Sequence, residues 1–353
     1  MKIFWFCPKC GFRDELWREY YYKCPRCGAP LELSYPTSYR VSGNKGLYRF
    51  ESMLPFTPER SRGEASTPLV VEKEGGHYLL YKLEYLNPSG SFKDRGTSLS
   101  IYYAFKRDFR EVVEDTSGNT GISVALYSTL YGLRARILMP KTAPEGKKRI
   151  IKMLSGEIVE TSSRAEASER VVEYAENSYY VAHTWSPFYV IGASTISYEV
   201  FEDYGVPDVI IAPIGSGGLF LGLARGFENL LREGKIRKMP RLVGVQGYSA
   251  QPVYEKLYGS KAVGEDSSLA DGIMVQNPPR LSEIIDIIRR YDGEVVLVGN
   301  TEIKRAWEEL LERGFIVEPT SAVVYAAFLK IRDKIEENSK ILLPLTGSGL
   351  KLV

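Results

Sequence analysis

Short apolar runs alternate with amphipathic stretches from about Leu69 to the end of the chain. Runs of three to six residues predict strands at Tyr78–Leu83, Val112–Glu114, Ala135–Met139, Glu157–Glu160, Val209–Pro213, Arg241–Gln246 and Lys340–Pro344. Stretches with apolar residues three and four apart predict helices. These lie at Gly96–Phe109, Gly121–Tyr131, Lys147–Leu154, Ala165–Asn177, Gly217–Glu233, Glu302–Arg313 and Ala322–Lys330. Regular alternation of the two kinds implies an α/β fold, with parallel sheet covered by helices on both faces. Ligands in such folds sit beyond the carboxyl ends of the strands. Ser34–Gly46, rich in Ser, Tyr, Gly and Asn, reads as a linker, and what precedes it has a different character.

The 353 residues are 44% hydrophobic and 25% charged, which excludes a largely disordered chain. A net charge of +2 gives no basic footprint for nucleic acid and no attraction to an anionic membrane. The most apolar stretch, Val209–Ala224, is interrupted by Pro213 and glycines, so no membrane span is expected. Met1–Phe6 is too short for a signal-peptide core, and a cytoplasmic location is expected.

Cys7, Cys10, Cys24 and Cys27 are the only cysteines, in the motifs C-P-K-C-G and C-P-R-C-G, with thirteen residues between Cys10 and Cys24. Two such pairs can aim four thiolates at one tetrahedral ion, and the Gly after each pair permits the tight turn. A structural zinc is expected, on a hairpin formed by Phe12–Lys23. Two disulfides or free thiols are the alternatives, the first disfavoured in a reducing compartment. Four Cys ligands leave no open position for a catalytic metal. Arg13, Arg18, Lys23 and Arg26 are interleaved with Asp14, Glu15 and Glu19, which argues against a nucleic-acid-binding ribbon.

Three Gly- and hydroxyl-rich segments follow strands. In Ser91-Phe92-Lys93-Asp94-Arg95-Gly96 a lysine stands at a helix start. The helix terminus and burial both push its amine toward neutrality, as an imine-forming lysine requires. A surface lysine paired with Asp94 is the plainer alternative. Thr116-Ser117-Gly118-Asn119-Thr120-Gly121 opens a helix with hydroxyls and free N–H groups, a nest of carboxylate size. Gly215-Ser216-Gly217-Gly218-Leu219 follows an apolar strand and suits a phosphate. It is neither a Walker loop nor a dinucleotide fingerprint, since Phe220 stands where a third Gly belongs. The second, Thr116–Gly121, taken singly could be a capped helix. The histidines are His77, in a likely turn after Gly75-Gly76, and His183; no G-x-S-x-G or H-E-x-x-H segment accompanies them. With histidine so scarce, acid–base work falls on Lys93. His183 is either a substrate contact or structural.

Together the segments resemble the fold type II pyridoxal 5′-phosphate enzymes of the tryptophan synthase β family, and the threonine synthases among them. The resemblance covers about Ser66 to the C-terminus, and a ribbon before such a core is similar to some archaeal members. It implies two three-layer α/β/α domains after a ribbon at 1–34. The small domain would be 91–187, and the large cofactor-binding domain 35–90 with 188–353. Lys93 would carry the cofactor, with Asn119 beside its phenolic oxygen. Ser117, Gly118, Asn119 and Thr120 would hold the substrate carboxylate. Gly215, Ser216, Gly217, Gly218 and Leu219 would hold the cofactor phosphate. Thr346, in Leu345-Thr346-Gly347-Ser348-Gly349, would face the ring nitrogen. Glu318-Pro319-Thr320-Ser321-Ala322 matches a further threonine synthase segment.

The resemblance implies conversion of O-phospho-L-homoserine and water to L-threonine and phosphate, by a homodimer acting on a small amino-acid substrate. Two features point elsewhere. Ser117–Ile122 is closer to cysteine synthases. In Ser186–Thr195, Tyr189 and Ser194 stand where threonine synthases carry a phosphate-holding Arg and Lys. Lys147, Lys148 and Arg149 could replace those cations, or form a solvated helix face. The alternatives are β-replacement on O-phosphoserine or O-acetylserine, of cysteine synthase or cysteate synthase type, and a threonine or serine dehydratase. A binding module without catalysis is the reading from another class.

Overall fold

The computed structural model describes residues 2–353. In chain order the strands are β1 (Phe4–Phe6), β2 (Arg13–Glu15), β3 (Glu32–Ser34), β4 (Leu69–Glu74), β5 (His77–Lys82), β6 (Glu111–Asp115), β7 (Arg134–Pro140), β8 (Glu157–Thr161), β9 (Tyr179–Tyr180), β10 (Val209–Pro213), β11 (Arg241–Gly247), β12 (Glu294–Val298) and β13 (Lys340–Pro344). The helices are α1 (Asp94–Lys106), α2 (Asn119–Tyr131), α3 (Glu145–Met153), α4 (Arg164–Tyr174), α5 (Pro187–Asp203), α6 (Gly218–Arg232), α7 (Pro252–Tyr258), α8 (Leu281–Arg290), α9 (Asn300–Glu312) and α10 (Pro319–Ile331). The fold is α/β, as the alternation predicts.

The chain divides into two compact units. One takes the described residues up to Ala65 with Lys93–Gly192 and Lys351–Val353; the other takes Ser66–Phe92 and Ala193–Leu350. The sequence reading assigned 35–65 to the large domain instead. Side-chain packing explains the difference. Leu47 and Leu54 join the core that holds Ile101 and Tyr127, and the Phe56 ring lies 5.6 Å from both Tyr102 and Phe188.

In the first unit the sheet order is β8-β7-β6-β9, all parallel. The N-terminal ribbon is a separate antiparallel sheet, β2-β1-β3. The hairpin expected over Phe12–Lys23 does not form: Arg13–Glu15 pairs with Phe4–Phe6 instead. The tyrosines that follow pack on the α/β core rather than across a strand pair. Tyr20 lies 4.5 Å from Tyr179, Tyr22 lies 5.3 Å from Tyr180, and the Tyr20 hydroxyl donates to the Tyr180 carbonyl. Trp5, buried, meets Tyr103 edge-on at 5.8 Å, and the Tyr103 hydroxyl donates to the Leu16 carbonyl at 2.8 Å.

In the second unit the sheet order is β12-β11-β10-β13-β5-β4. All neighbours are parallel except the edge pair β4–β5. β10 is buried along its whole length and β13 beyond its first residue, which is why both read as unbroken apolar runs. His77 is not in the turn; it opens β5, buried and edge-on to Phe328. α8 and β12 escaped the sequence reading, although Ile284, Ile285, Ile287 and Ile288 bury one face of α8.

What positions the start of α1 is a backbone approach to the first turns of α5. A Cβ on Gly96 would lie 2.6 Å from the Tyr189 Cα, and one on Gly192 would lie 2.3 Å from the Arg95 carbonyl oxygen. Alanine in a helix is ordinarily worth about 1 kcal/mol over glycine. Gly192→Ala is expected to reverse that sign, lowering stability by roughly 1–3 kcal/mol through overpacking. Urea unfolding followed by circular dichroism measures it; an unchanged or raised midpoint would refute the close approach.

Candidate active site

Lys93 is the residue immediately before α1, with helical backbone angles, and its carbonyl accepts from the Gly96 and Thr97 amides. Its ammonium lies 6.0 Å from the centroid of the Tyr189 ring. The neighbouring Asp94 is fully buried and accepts from the Ser123 hydroxyl at 2.6 Å. A solvated Lys93–Asp94 surface pair is therefore not what the fold builds. Tyr189 is fixed by a 2.8 Å hydroxyl–hydroxyl contact with Thr97 on α1.

In the same unit, Ser117 and Gly118 turn the chain from β6 into α2. Gly118 has φ +153°, and its amide donates to the Thr116 hydroxyl at 3.0 Å. Asn119 and Thr120 open the helix, so first-turn amides face out with no acidic residue among them. Ser117 and Asn119 are half-buried while Gly118 and Thr120 are buried. That arrangement suits a small carboxylate. The stem of Lys147 covers Gly118: a Cβ there would lie 2.2 Å from the Lys147 Cδ. The basic run of α3 is thereby resolved. Lys147 and Lys148 are buried, Lys148 paired with Glu160 at 2.9 Å, while Arg149 donates to the Val353 carbonyl.

In the second unit, Gly215–Gly217 link β10 to α6, whose first residues are Gly218 and Leu219. Gly217 has φ +93°, and a Cβ there would lie 2.4 Å from Ile284. A Cβ on Gly215 would lie 2.4 Å from the Gly272 carbonyl oxygen. The loop is thus a glycine-only cradle at a helix N-terminus, with Ser216 and Gly218 half-exposed, and it fits a phosphate. Thr346, buried, lies just after β13. Its Oγ1 is 3.1 Å from the Ser321 Oγ, which also accepts from the Gly347 amide at 2.8 Å. This network orients the Thr346 hydroxyl.

His183 is nearly buried, and its Nδ1 is hydrogen-bonded to Glu114 at the end of β6. Burial, then the charges of Lys93 and Arg164, hold His183 well below the usual imidazole range. Burial, then Asp115, holds Glu114 well above the usual carboxyl range, with Arg164 and Lys93 opposing. Sequence reasoning missed Glu114. The available signal was two acids, Glu114 and Asp115, closing a strand directly before the Ser117–Gly121 loop.

The four cysteine sulfurs lie within 4.8 Å of one another. Cys7–Cys27 and Cys10–Cys24 are each 3.5 Å apart. Tetrahedral zinc with bonds near 2.3 Å separates its sulfurs by about 3.8 Å, so the donor set fits such an ion. The two knuckles repeat each other. Gly11 and Gly28 both have φ +71° and donate to the carbonyls of Cys7 and Cys24. Burial pushes the Cys7 thiol up to about 12, and the Ala29 backbone N–H lowers Cys27 to about 7.

Residues 60–347 match the family described as pyridoxal-phosphate dependent enzyme. The threonine synthase of Methanocaldococcus jannaschii is 30% identical over 98% of this chain and 92% of its own length. That of Methanosarcina acetivorans is 26% identical over 98% and 91%. Among solved structures, maize serine racemase superposes with a TM-score of 0.69 at 27% identity, covering 80% of this chain and 88% of that one. No helix among the described residues is long and apolar enough to cross a membrane. The family match over residues 60–347 and the relatives matched across nearly the whole length agree. The chain belongs to the pyridoxal-phosphate-dependent enzymes and, within them, to the threonine synthase-like lyases of fold type II.

Proposed function

We propose that this enzyme converts O-phospho-L-homoserine and water to L-threonine and phosphate. The observation that carries the reading is the 30% identity with an archaeal threonine synthase over 98% of the chain, ribbon included. Lys93 would hold pyridoxal phosphate covalently. The Gly215–Leu219 loop would hold its phosphate, Asn119 would sit beside its phenolic oxygen and Thr346 would face its ring nitrogen. When bound, that cofactor supplies an electron sink for the carbons next to the substrate amine. Amides and hydroxyls of Ser117, Gly118, Asn119 and Thr120 would bind the substrate carboxylate and fix its orientation. Lys93, released by the substrate amine, would move protons at Cα and Cβ. A homodimer belongs to the same proposal.

One observation favours a second reading. Tyr189, where a phosphate-holding Arg is expected, is committed to Thr97. β-Replacement on O-acetylserine, which carries no phosphate, needs no cation at that place. A substrate panel separates the two. The proposal expects one phosphate and one threonine formed together from O-phospho-L-homoserine. No turnover of it, alongside turnover of a serine derivative with sulfide or sulfite, would replace it with the second reading. Lys93→Ala is expected to lose at least about 10³-fold in kcat, read from phosphate release.

We also propose that Cys7, Cys10, Cys24 and Cys27 hold one structural zinc. Elemental analysis should give about one zinc per chain. Cys24→Ser should lose it and melt roughly 5 °C lower or more, because the ribbon shares its aromatic core with α1 and α5. A metal-free preparation with unchanged melting would contradict this.

A further inference from the structure

The two segments of the second unit assigned above to the cofactor, Gly215–Leu219 and Thr346, share one support. Thr320 and Ser321 are neighbours in the first turn of α10, and both are buried. Ser321 braces Thr346 and Gly347. Thr320 turns to a different segment, and nothing in the function proposed above uses it.

The Thr320 hydroxyl accepts from the Gly272 amide at 3.1 Å and donates to the Asp271 carboxylate at 3.2 Å. A single hydroxyl thus spends both of its capacities on one turn of chain. The Thr320 methyl closes on the same residue, since a Cβ on Gly272 would lie 2.7 Å from Thr320 Cγ2. The carbonyl of Gly272 meets the glycine loop instead, 2.4 Å from where a Cβ on Gly215 would stand. Gly272 is therefore a spacer one residue thick, held through its amide by Thr320 and abutting Gly215 through its carbonyl.

The support is stiff, and what it supports is not. Every residue from Pro319 to Phe328 is buried, so α10 is locked into the core of its unit. Between α7 and α8 the chain runs irregularly, apart from a short 3-10 turn at Asp271–Ile273. Gly215, Gly217 and Gly218 have backbone freedom that other residues lack. A nest built from such residues binds an anion well only when its amides are already aimed. Ile284 closes on Gly217, and Gly272 closes on Gly215.

We propose that Thr320 is a positioning residue for the cofactor phosphate. It holds the Asp271–Gly272 turn against Gly215 and so keeps the amides of the Gly215–Leu219 loop aimed at the anion. The proposal rests on the reading that this loop holds that phosphate.

The test is equilibrium binding to the full-length chain stripped of cofactor. The chain is titrated with pyridoxal 5′-phosphate and, separately, with pyridoxal, and binding is read by absorbance and tryptophan fluorescence. The ligands differ in the phosphate ester alone, so a change in the ratio of their dissociation constants reports on the loop. Thr320→Val keeps the shape and loses the hydroxyl, while Thr320→Ala loses the hydroxyl with no risk of overpacking. Each should weaken pyridoxal 5′-phosphate about tenfold and leave pyridoxal within about twofold of wild type. Thr320→Ser keeps the hydroxyl and should hold the ratio within about threefold of wild type. A merely structural role would weaken both ligands alike. That result, an unchanged ratio in Thr320→Val and Thr320→Ala, or a Thr320→Ser ratio as poor as that of Thr320→Val would overturn the proposal. A wild-type chain that binds pyridoxal as tightly as its phosphate would sink the reading of the loop, and the proposal with it.

Discussion

The start of α1 can stand where it does only because two glycines let backbone meet backbone. Gly96 faces the Tyr189 Cα and Gly192 faces the Arg95 carbonyl, each closer than a Cβ allows. This contact fixes α1 against the first turns of α5, and with it the direction in which residue 93 leaves the helix. Tyr189 adds a second constraint, its hydroxyl tied to Thr97 one turn into α1. A lysine that must be neutral to react needs such a rigid mount. A mobile one would reach water and keep its proton.

The rest of the first unit supports this mount. Trp5, Tyr103 and Phe188 form one aromatic cluster joining the ribbon, α1 and α5. The ribbon is therefore part of the core behind the lysine rather than an appendage on a tether. Its two knuckles are near copies, with the same glycine φ and glycine amides donating to the Cys7 and Cys24 carbonyls at 2.9 Å in both. In the second unit the glycines of Gly215–Gly217 have a similar task. Packing of Gly272 against Gly215 and of Ile284 against Gly217 leaves no room for a Cβ at either position.

Much of this was legible in the sequence because the chemistry forces unusual residues into short spans. Four cysteines in two repeats, a lysine at a helix start and two glycine-rich strand ends have few other uses in combination. Strands buried on both faces, such as Val209–Pro213 and Lys340–Pro344, matched residue for residue. What the sequence hid was tertiary. The Tyr20–Tyr22 run suits one arm of a hairpin yet is claimed by Tyr179 and Tyr180, far along the chain. Ser34–Gly46 reads as a linker and 35–65 as part of the large domain because anchors such as Leu47, Leu54 and Phe56 show no regular period that names their partner. Glu114 belongs to no motif; its partner His183 lies sixty-nine residues later in the chain.

The central claim is that the Lys93 amine is the group that captures the cofactor. The most direct measurement is borohydride reduction of the purified chain after incubation with pyridoxal phosphate, followed by peptide mapping. The account predicts one pyridoxyl group per chain, on the peptide containing Lys93, together with loss of the visible absorption. A chain that takes up no label, or carries it on another lysine, would contradict it.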